Sequence, residues 1–277
     1  MERRKKILND KKVVPIFVVG SPRSGTTLIG NVIGNTNSVC NMEEFSGFFF
    51  SYYIAPREFY GVPSPYKKKY IRELQEFSSV FATSITLKKN KQFFCDSTPW
   101  NMLIINDLLY KYPNAIIILV IRHFSGVIQS LEKSYHIGYK WAGANWIERA
   151  NLWSKFYSNA KFIPQKNRVI LSYDELCSNP VVTLERFKND LIQKGLDQLE
   201  LNYNYLAVNN ASGKKITIGN RTEDGSIYLQ SIPSYNAESW TGDIYDQILP
   251  IVLDTHIKLR DLCSNNYILP HGYQNEY

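Results

Sequence analysis

A short apolar segment that runs into a glycine-bounded loop constrains the fold of this chain most. Residues 13–29 read VVPIFVVGSPRSGTTLI, so the loop joins a predicted strand to a predicted helix. Gly20 and Gly25 keep the G-x4-G spacing of a phosphate-binding loop, in which backbone N–H groups and the helix N-terminus face an anion. Loops that bind nucleoside triphosphates place a lysine next, whereas here Thr26 takes that position and Arg23 supplies the cation. The loop therefore predicts an anion site whose ligand has no triphosphate.

A second strand end offers another anion-binding group about a hundred residues further along. Residues 115–121 form an apolar run rich in β-branched side chains, typical of a strand buried on both faces, and Arg122 follows it directly. Residues 124–131 are predicted to be helical and place Ser130 eight positions after Arg122. An arginine at a strand end is more often an ion-pair partner than a ligand, but this spacing favours a guanidinium and a hydroxyl on a second phosphate. Two anion sites imply a doubly phosphorylated ligand.

Together these segments resemble the sulfotransferases that use 3′-phosphoadenosine 5′-phosphosulfate (PAPS). The sequence PRSGTT is similar to the 5′-phosphosulfate loop of that family, in the arginine form that tyrosylprotein and many bacterial sulfotransferases share. Arg122 and Ser130 match its 3′-phosphate motif, and residues 169–176 resemble its strand-Tyr-Glu-Asp-Leu segment. The resemblance spans about residues 13–196.

The resemblance implies a cofactor, a product and a set of ligands. The cofactor is PAPS, the product is adenosine 3′,5′-bisphosphate (PAP), and no metal takes part. Arg23 is expected to bind the cofactor and also to stabilise the transferring sulfuryl group. Tyr173 matches a family tyrosine that lies against the adenosine. The other expected cofactor contacts are Ser24, Gly25, Thr26, Thr27, Arg122 and Ser130. Lys214 and Arg221 lie in a later loop that either folds over the 3′-phosphate or is a solvated surface loop, so they are candidate contacts as well.

Glu44 is the candidate general base. In tyrosylprotein and related bacterial sulfotransferases a glutamate follows the loop arginine by some twenty residues, and Glu43 and Glu44 stand 20 and 21 residues after Arg23. A carboxylate beside the acceptor can take its proton. Two alternatives stay open: the glutamates cap a helix that begins there, or His123 or His136 is the base.

The acceptor side is predicted from the acidic and aromatic residues near the candidate base. Acidic groups suit a cationic or polyhydroxylated acceptor, and aromatic rings can line a small-molecule pocket, although they also pack cores. The general resemblance to soluble bacterial sulfotransferases of secondary metabolism favours a polar natural product, with a guanidinium alkaloid of the saxitoxin type as one hypothesis. Residues 96–99 (DSTP) resemble a family segment in which a lysine before the proline helps neutralise the sulfuryl charge, but this chain has no lysine there, and Ser97 is a candidate hydrogen-bond donor in its place. The candidate substrate-binding residues are Glu43, Phe45, Phe48 and Asp96.

Charge and composition argue against several other classes of protein. The net charge of +7 arises from 32 Lys and Arg against 25 Asp and Glu, and part of it lies in a basic N-terminal arm at residues 1–12. Basic and aromatic residues are not interleaved along one face, so no nucleic-acid partner is expected. No apolar run reaches about 18 residues and the N-terminus is too polar for a signal peptide, which predicts a cytoplasmic protein without membrane contact. The four cysteines lack C-x-x-C spacing, so no zinc site is expected.

Apolar strands that alternate with helical stretches predict an α/β fold with a P-loop-like, mainly parallel sheet flanked by helices on both faces. Residues 13–277 are expected to form one domain, with a long loop region at about 202–240. Strands are predicted near 13–19, 92–95, 115–121 and 168–171, and helices near 25–34, 65–86, 100–111, 124–133, 142–162, 181–194 and 245–262.

Three functions are consistent with these motifs. The first is a PAPS-dependent sulfotransferase that acts on a small-molecule acceptor. The second keeps the chemistry but acts on a peptide tyrosine or a glycan, and the third is a non-catalytic nucleotide-binding protein on the same fold. A nucleotide kinase fits less well, because Thr26 replaces the lysine that such enzymes need. Homodimers are common in the resembled family, so a homodimer is one expected state.

Overall fold

A five-stranded parallel sheet forms the centre of the computed structural model. The structure describes residues 13–58, 63–196 and 242–262, together with three short strands at 206–209, 215–221 and 227–229. The strands of the main sheet are β1 (Val14–Val19), β2 (Val39–Asn41), β3 (Phe93–Asp96), β4 (Ile116–Ile121) and β5 (Arg168–Ser172). Their order across the sheet is β2-β3-β1-β4-β5.

Helices connect the strands of the main sheet, and further helices come after its last strand in the chain. The α-helices are α1 (Thr26–Gly34), α2 (Gly47–Phe49), α3 (Ala55–Glu58), α4 (Ser64–Lys88), α5 (Ile105–Lys111), α6 (Phe124–His136), α7 (Trp146–Tyr157), α8 (Tyr173–Ser178), α9 (Pro180–Gln193) and α10 (Gly242–Leu262). A π-helical stretch (Phe50–Ile54) joins α2 to α3, and 3-10 turns lie at Pro99–Ile104, Lys140–Ala142 and Ala160–Phe162. No helix in the described part of the chain is long and apolar enough to cross a membrane.

Both faces of the sheet are covered by helices. Successive side chains of a strand point to opposite faces, so Phe17 and Val19 of β1 join one buried cluster while Ile16 and Val18 join another. The first cluster includes α6, α7 and α10, and the second includes α1 and α9. Every residue of β4 is buried, as its continuous apolar sequence predicts. The predicted α/β fold with a parallel sheet and helices on both faces is confirmed.

The strand order creates a crevice at the carboxyl edge of the sheet. After β1 the chain builds β2 and β3 on one side, and then crosses to build β4 and β5 on the other. Where the strand order reverses in this way, the loops after the two central strands diverge, and ligands of open α/β sheets bind between them. The loop after β1 carries Arg23, and Arg122 follows β4. The topology therefore brings the two predicted anion-binding segments to one place.

The observed elements differ from the predicted ones at the helix of residues 142–162 and at β2. The sequence predicts one helix over residues 142–162, but α7 begins only at Trp146, because the Asn145 side chain accepts a hydrogen bond from the Glu148 N–H at 2.9 Å and caps the helix there. The short strand β2 is not among the predicted strands, because three residues are too few to show a period.

The region at 202–240 contains regular structure where the sequence predicts a loop. The strands β6 (Leu206–Asn209), β7 (Lys215–Arg221) and β8 (Ile227–Leu229) form an antiparallel sheet in that order. Pairing between neighbouring strands depends on partners distant from each residue, so the weak local periodicity of this region did not reveal it. The other residues of the region, like the N-terminal arm at 1–12, lie outside the described residues.

Candidate active site

The loop between β1 and α1 holds its backbone in a left-handed conformation at two positions. Arg23 has a φ of 73° and Gly25 has a φ of 100°. The Ser24 N–H donates to the Ser21 carbonyl at 3.0 Å, which closes the turn, and Gly25 then caps the N-terminus of α1. A non-glycine residue with positive φ is strained, and such strain is concentrated at functional sites. The turn and the helix N-terminus together form a cradle of N–H groups suited to an anion.

Tyr173 packs against this loop from the first residue of α8. A Cβ atom added at Gly25 would lie 2.4 Å from Tyr173 Cδ2, so only glycine permits both the contact and the backbone angle. The Arg122 guanidinium lies over the same ring, 4.6 Å from its centroid. Burial raises the pKa of Tyr173 to about 12, so the phenol stays neutral. Tyr173 thus links the end of β5 to the segments that follow β1 and β4.

Two buried aromatic side chains of α7 hold the backbone of Arg122. The Arg122 N–H donates to the Tyr157 hydroxyl at 3.2 Å, and its carbonyl accepts from Trp153 Nε1 at 3.2 Å. The Tyr157 hydroxyl also donates to the Val120 carbonyl at 2.8 Å, and burial raises its pKa to about 12, so it keeps its proton. The two bonds to Arg122 satisfy backbone groups just beyond the last paired residue of β4. The position of Arg122 is therefore fixed by side chains that reach it from another element.

The two predicted anion-binding arginines meet in the crevice. Arg122 Nη1 donates to the Arg23 carbonyl at 2.9 Å, and Arg23 Nε donates to Ser130 Oγ at 3.1 Å. Arg122 Nε is buried and has no hydrogen-bond partner within the described part of the chain. Burial lowers the pKa of Arg23 and the neighbouring Arg122 adds to this effect, whereas Glu44 opposes it. Two guanidinium groups side by side repel each other, and an anion bound between them would relieve that repulsion.

Glu44 lies beside the start of α1, in the turn that follows β2. Its Oε1 accepts a hydrogen bond from Thr27 Oγ1 at 2.7 Å, and both glutamates of this turn are exposed. Glu43 has a φ of 53°, and its N–H donates to Asn41 Oδ1 at 3.0 Å. The Glu43 carbonyl accepts from the Ser97 N–H at 2.8 Å, which ties the turn to the segment after β3. A carboxylate is thereby held next to the first turn of α1.

The segment after β3 is organised by a buried carboxyl group. Asp96 is fully buried, and its side chain accepts from the Thr98 N–H at 2.9 Å, from Thr98 Oγ1 at 2.6 Å and from Asn101 Nδ2 at 2.8 Å. Burial raises the pKa of Asp96 to about 7, although these hydrogen bonds act in the opposite direction. Asp96 thus fixes the conformation of the loop after β3. The Ser97 N–H of that loop donates to the Glu43 carbonyl and so positions the turn after β2.

A comparison with models of protein families identifies the family of this chain. The model of the sulfotransferase family matches residues 15–189, a range that begins within β1, ends within α9 and includes both arginines of the crevice. The chain belongs to the sulfotransferase family. A search of curated proteins gave no match.

Solved sulfotransferases have the same fold. The sulfotransferase domain from the Synechococcus PCC 7002 olefin synthase is 16% identical, with 95% of this chain and 98% of that domain covered and a TM-score of 0.58. The sulfotransferase from Alicyclobacillus acidocaldarius is 10% identical, with 90% of this chain and 95% of that chain covered and a TM-score of 0.52. At such identities the likeness concerns the fold, and the function of this sulfotransferase must be argued from its own site.

The structure brings most of the predicted cofactor-binding residues of this sulfotransferase together. The loop residues surround the start of α1, where Ser24 and Thr26 are buried while Gly25 and Thr27 are partly exposed. Arg122, Ser130 and Tyr173 lie against them through the contacts described above. Arg221 lies in β7 and Lys214 precedes it, but the Arg221 side chain and all of Lys214 lie outside the described residues.

Two of the four predicted substrate-binding residues are in the protein interior. Phe48 is fully buried, with its ring stacked on Phe94 at 5.9 Å and edge-on to Phe17 at 5.5 Å, so it packs the core and does not line a pocket. Asp96 is occupied by its own loop, and its predicted contact with substrate is also wrong. Phe45 is partly buried and stacks on Phe81 at 5.6 Å, and Glu43 is exposed, so substrate contact by these two stays a prediction.

The alternative catalytic histidines differ in their surroundings. His123 is buried, and its Nδ1 contacts Ser125 Oγ. Burial lowers the pKa of His123 to about 3, and its backbone N–H donates to Asp174 at 2.7 Å. The interior therefore holds His123 as a neutral residue, away from any acceptor in solution. His136 is exposed at the last residue of α6.

Sequence reasoning missed the residues that position the arginines. Trp153 and Tyr157 are four residues apart on α7. This spacing predicts that the two side chains share one face of a helix, but it does not predict which residues that face contacts. Asp174 is missed as well, because only the folded chain brings it to the His123 N–H. Among the residues the structure describes, no group of three or more His, Cys, Asp or Glu is arranged to hold a metal ion.

Proposed function

We propose that this sulfotransferase transfers a sulfuryl group from PAPS to a hydroxyl or nitrogen of a small-molecule acceptor and releases PAP. The observation that carries the proposal is the contact between Arg23 and Arg122, which follow two different strands and meet beside a left-handed loop. Arg122 Nε is buried without a partner among the described residues. A buried guanidinium N–H is costly to leave unpaired, and this supports an anionic ligand at that position.

The residues present fit the two phosphate groups of such a cofactor. We assign the 5′-phosphate to the N–H groups of residues 24–27 and the N-terminus of α1. Arg122 and Ser130 are assigned to the 3′-phosphate, and the exposed part of the Tyr173 ring to the adenosine. Lys214 and Arg221 remain predicted contacts from the sequence.

The chemistry needs charge stabilisation and a proton acceptor. When bound, the cofactor supplies a sulfuryl group on a phosphate leaving group, so that one sulfur–oxygen bond breaks as the bond from sulfur to the acceptor forms. Arg23 holds a positive charge beside the oxygens that become more negative. Glu44 takes the proton from the acceptor hydroxyl or nitrogen, and its hydrogen bond from Thr27 orients the carboxylate for this role.

The nature of the acceptor is proposed on less direct grounds. The exposed carboxylates of Glu43 and Glu44 suit a cationic group, which is the basis for the guanidinium-alkaloid hypothesis. The solved olefin synthase domain comes from a biosynthetic enzyme, which supports a role in natural product biosynthesis. A cytoplasmic location and a homodimeric state remain predictions from the sequence.

Calorimetric titration tests the cofactor assignment. The protein is titrated with PAP and, separately, with ATP and Mg²⁺, and both titrations are repeated with Arg122→Ala. Hydrogen bonds to charged groups contribute about 1.5–3 kcal/mol, so the substitution is expected to weaken PAP binding about ten- to hundredfold. Arg260→Ala is the matched control, because it removes an arginine from the exposed surface of α10.

Three outcomes of this experiment have defined meanings. PAP binding that weakens in Arg122→Ala and not in Arg260→Ala supports the proposal. Preferential binding of ATP contradicts it and favours a kinase. Failure to bind either nucleotide contradicts any nucleotide-dependent function of this site.

A further inference from the structure

We propose that Asn41 positions Glu44 for the reaction, because its side chain links α1 to the turn that carries this carboxylate. Asn41 is the last residue of β2, and the first turn of α1 is the segment assigned to the 5′-phosphate. The inference rests on the proposed function, since it concerns the geometry of the same reaction. Asn41 holds another group in place and is not itself a catalytic residue.

The side-chain amide of Asn41 bonds to two different elements. Its Nδ2 donates to Asn31 Oδ1 of α1 at 3.0 Å, and its Oδ1 accepts from the Glu43 N–H at 3.0 Å. The backbone beyond Asn41 is fixed as well, since the Met42 N–H donates to the Cys95 carbonyl of β3 at 2.9 Å. An amide group suits this link, because it donates at one atom and accepts at the other. Asn41 thus connects α1 to the turn after β2 through one planar group.

The bond to the Glu43 N–H holds this turn in a conformation that few residues adopt. Glu43 has a φ of 53°, in the left-handed region that is uncommon for residues other than glycine. An asparagine side chain that accepts from the N–H two residues further on stabilises a tight turn. The Glu43 carbonyl accepts from the Ser97 N–H at 2.8 Å, so both backbone groups of Glu43 are bonded. The direction in which the chain continues to Glu44 is thereby set.

Two side chains on one face of α1 hold the turn. Thr27 and Asn31 are four residues apart on this helix, a spacing that places them on the same face. Thr27 Oγ1 donates to Glu44 Oε1 at 2.7 Å, whereas Asn31 acts through Asn41. The close approach of Asn41 to α1 requires Gly34, since a Cβ atom added there would lie 2.4 Å from Asn41 Cβ. The helix that is assigned to the cofactor therefore also sets the position of the carboxylate.

An exposed carboxylate needs such support to act as a base. Glu44 is exposed, so a turn without these bonds would let its oxygens take many positions. A general base must lie within hydrogen-bond reach of the proton that it takes. An error of about 1 Å in such an arrangement can lower a rate about hundredfold. We therefore expect loss of the Asn41 amide to lower kcat and to leave the affinity for the cofactor unchanged.

Hydrolysis of PAPS tests this role with water as the acceptor. The water oxygen bonds to sulfur as the bond from sulfur to the phosphate oxygen breaks, and Glu44 takes the proton, so the products are PAP and sulfate. Sulfate release is measured at saturating PAPS. Asn41→Ala is expected to release sulfate about ten- to hundredfold more slowly than the wild-type protein. Its affinity for PAP, measured by calorimetry, is expected to stay within about twofold.

A conservative variant and a matched control accompany this measurement. Asn41→Asp keeps an oxygen that accepts from the Glu43 N–H and loses only the donor to Asn31. One lost hydrogen bond is worth about fivefold, so Asn41→Asp is expected to be faster than Asn41→Ala. Asn167→Ala is the matched control, because Asn167 Nδ2 donates to the Ala115 carbonyl at 2.8 Å at the amino end of β4, away from the site. It is expected to lower the melting temperature but to keep the rate of sulfate release within about twofold.

A double-mutant cycle with Glu44→Gln distinguishes positioning from a merely structural role. If Asn41 acts through the Glu44 carboxylate, Asn41→Ala changes sulfate release less than about twofold once that carboxylate is absent. Similar losses in both backgrounds would mean that the fold is loosened generally, and they would overturn the inference. A wild-type rate in Asn41→Ala, or an equal loss in Asn41→Asp, would overturn it as well.

The outcomes also separate this inference from the proposed function. Sulfate release by the wild-type protein that is no faster than by Glu44→Gln would overturn the inference, while PAP binding would still support the cofactor assignment. Failure of the wild-type protein to bind PAP would contradict the proposed function. In that case amide hydrogen exchange tests the link between α1 and the turn by itself. Faster exchange of the Glu43 N–H in Asn41→Ala, and not in Asn167→Ala, supports the link, and unchanged exchange overturns it.

Discussion

The two sides of the candidate active site are built in different ways. On the β1 and β4 side, backbone groups and partly buried arginines form the cradle, and Tyr173, Trp153 and Tyr157 fix their positions. On the β2 and β3 side, the functional groups are the exposed carboxylates of Glu43 and Glu44 in the turn after β2. The first side can bind a ligand that is common to a whole family, because a fixed backbone recognises the phosphate groups of a ligand and few of its other chemical groups. The second side can differ between proteins without disturbing the sheet, so it is where acceptor specificity is expected.

The largest expected effect separates the chemistry from cofactor binding. Glu44→Gln keeps the shape of the side chain but removes the proton acceptor, and loss of a general base lowers kcat about 10²- to 10⁴-fold. PAP affinity, measured by calorimetry, is expected to stay the same. Glu73→Gln is the control, since Glu73 is an exposed glutamate of α4 to which no role in the site is assigned. Full activity of Glu44→Gln with a sulfated product would show that another group is the base.

The next effect removes the backbone cradle. Gly25→Ala is expected to weaken PAP binding about hundredfold, because a Cβ there is strained at positive φ and meets the Tyr173 ring. Gly195→Ala is the control for strain outside the cradle, since Gly195 also has a positive φ, of 91°, but a Cβ there has no atom within 4 Å. Calorimetry with PAP and thermal unfolding are measured for both. Equal losses of PAP affinity would mean that general destabilisation, and not damage to the cradle, weakens PAP binding.

A smaller effect is expected in the pH dependence of stability. The pKa of Asp96 is raised to about 7 from 3.8, so the folded state keeps this proton between about pH 4 and pH 7 while the unfolded chain has lost it. The free energy of unfolding therefore falls as the pH rises through that window. Denaturant unfolding of Asp96→Asn is expected to lack this part of the slope. Asp254→Asn on the exposed surface of α10 is the control, and a slope that persists in Asp96→Asn would contradict the assignment.

The smallest effect concerns the residues that position Arg122. Tyr157→Phe removes one hydroxyl that bonds the Arg122 N–H and the Val120 carbonyl, and a lost hydrogen bond of this kind is worth about 1 kcal/mol. PAP binding is expected to weaken about fivefold, whereas binding of adenosine 5′-phosphate, which lacks the 3′-phosphate, changes less. Tyr112→Phe is the control, because its ring packs against Phe17 and Phe94 elsewhere in the core. Equal weakening of both nucleotides would point to general loosening of the fold.

Much of the fold and part of the site were predictable because their signals are local. The apolar runs of β1 and β4 and the glycines of the first loop each lie within a few consecutive residues, and the observed strands begin and end within one residue of those predicted. Arg122 was found because it directly follows the apolar run of β4, and Arg23 because it closely follows the run of β1. The wrong predictions concern burial: Phe48 and Asp96 are close to the site in sequence, but the packing of β1, β3 and the following loop places them inside.

The sequence by itself determined the parallel sheet, the anion-binding loop and the two arginines, because strand periodicity, glycine spacing and charge are properties of short segments. Only the tertiary structure decided which groups meet. The Arg23 to Arg122 contact and the bonds from Trp153 and Tyr157 each join segments from different elements. Such contacts depend on strand order and helix packing, which bring together side chains whose separation along the chain carries no local signal.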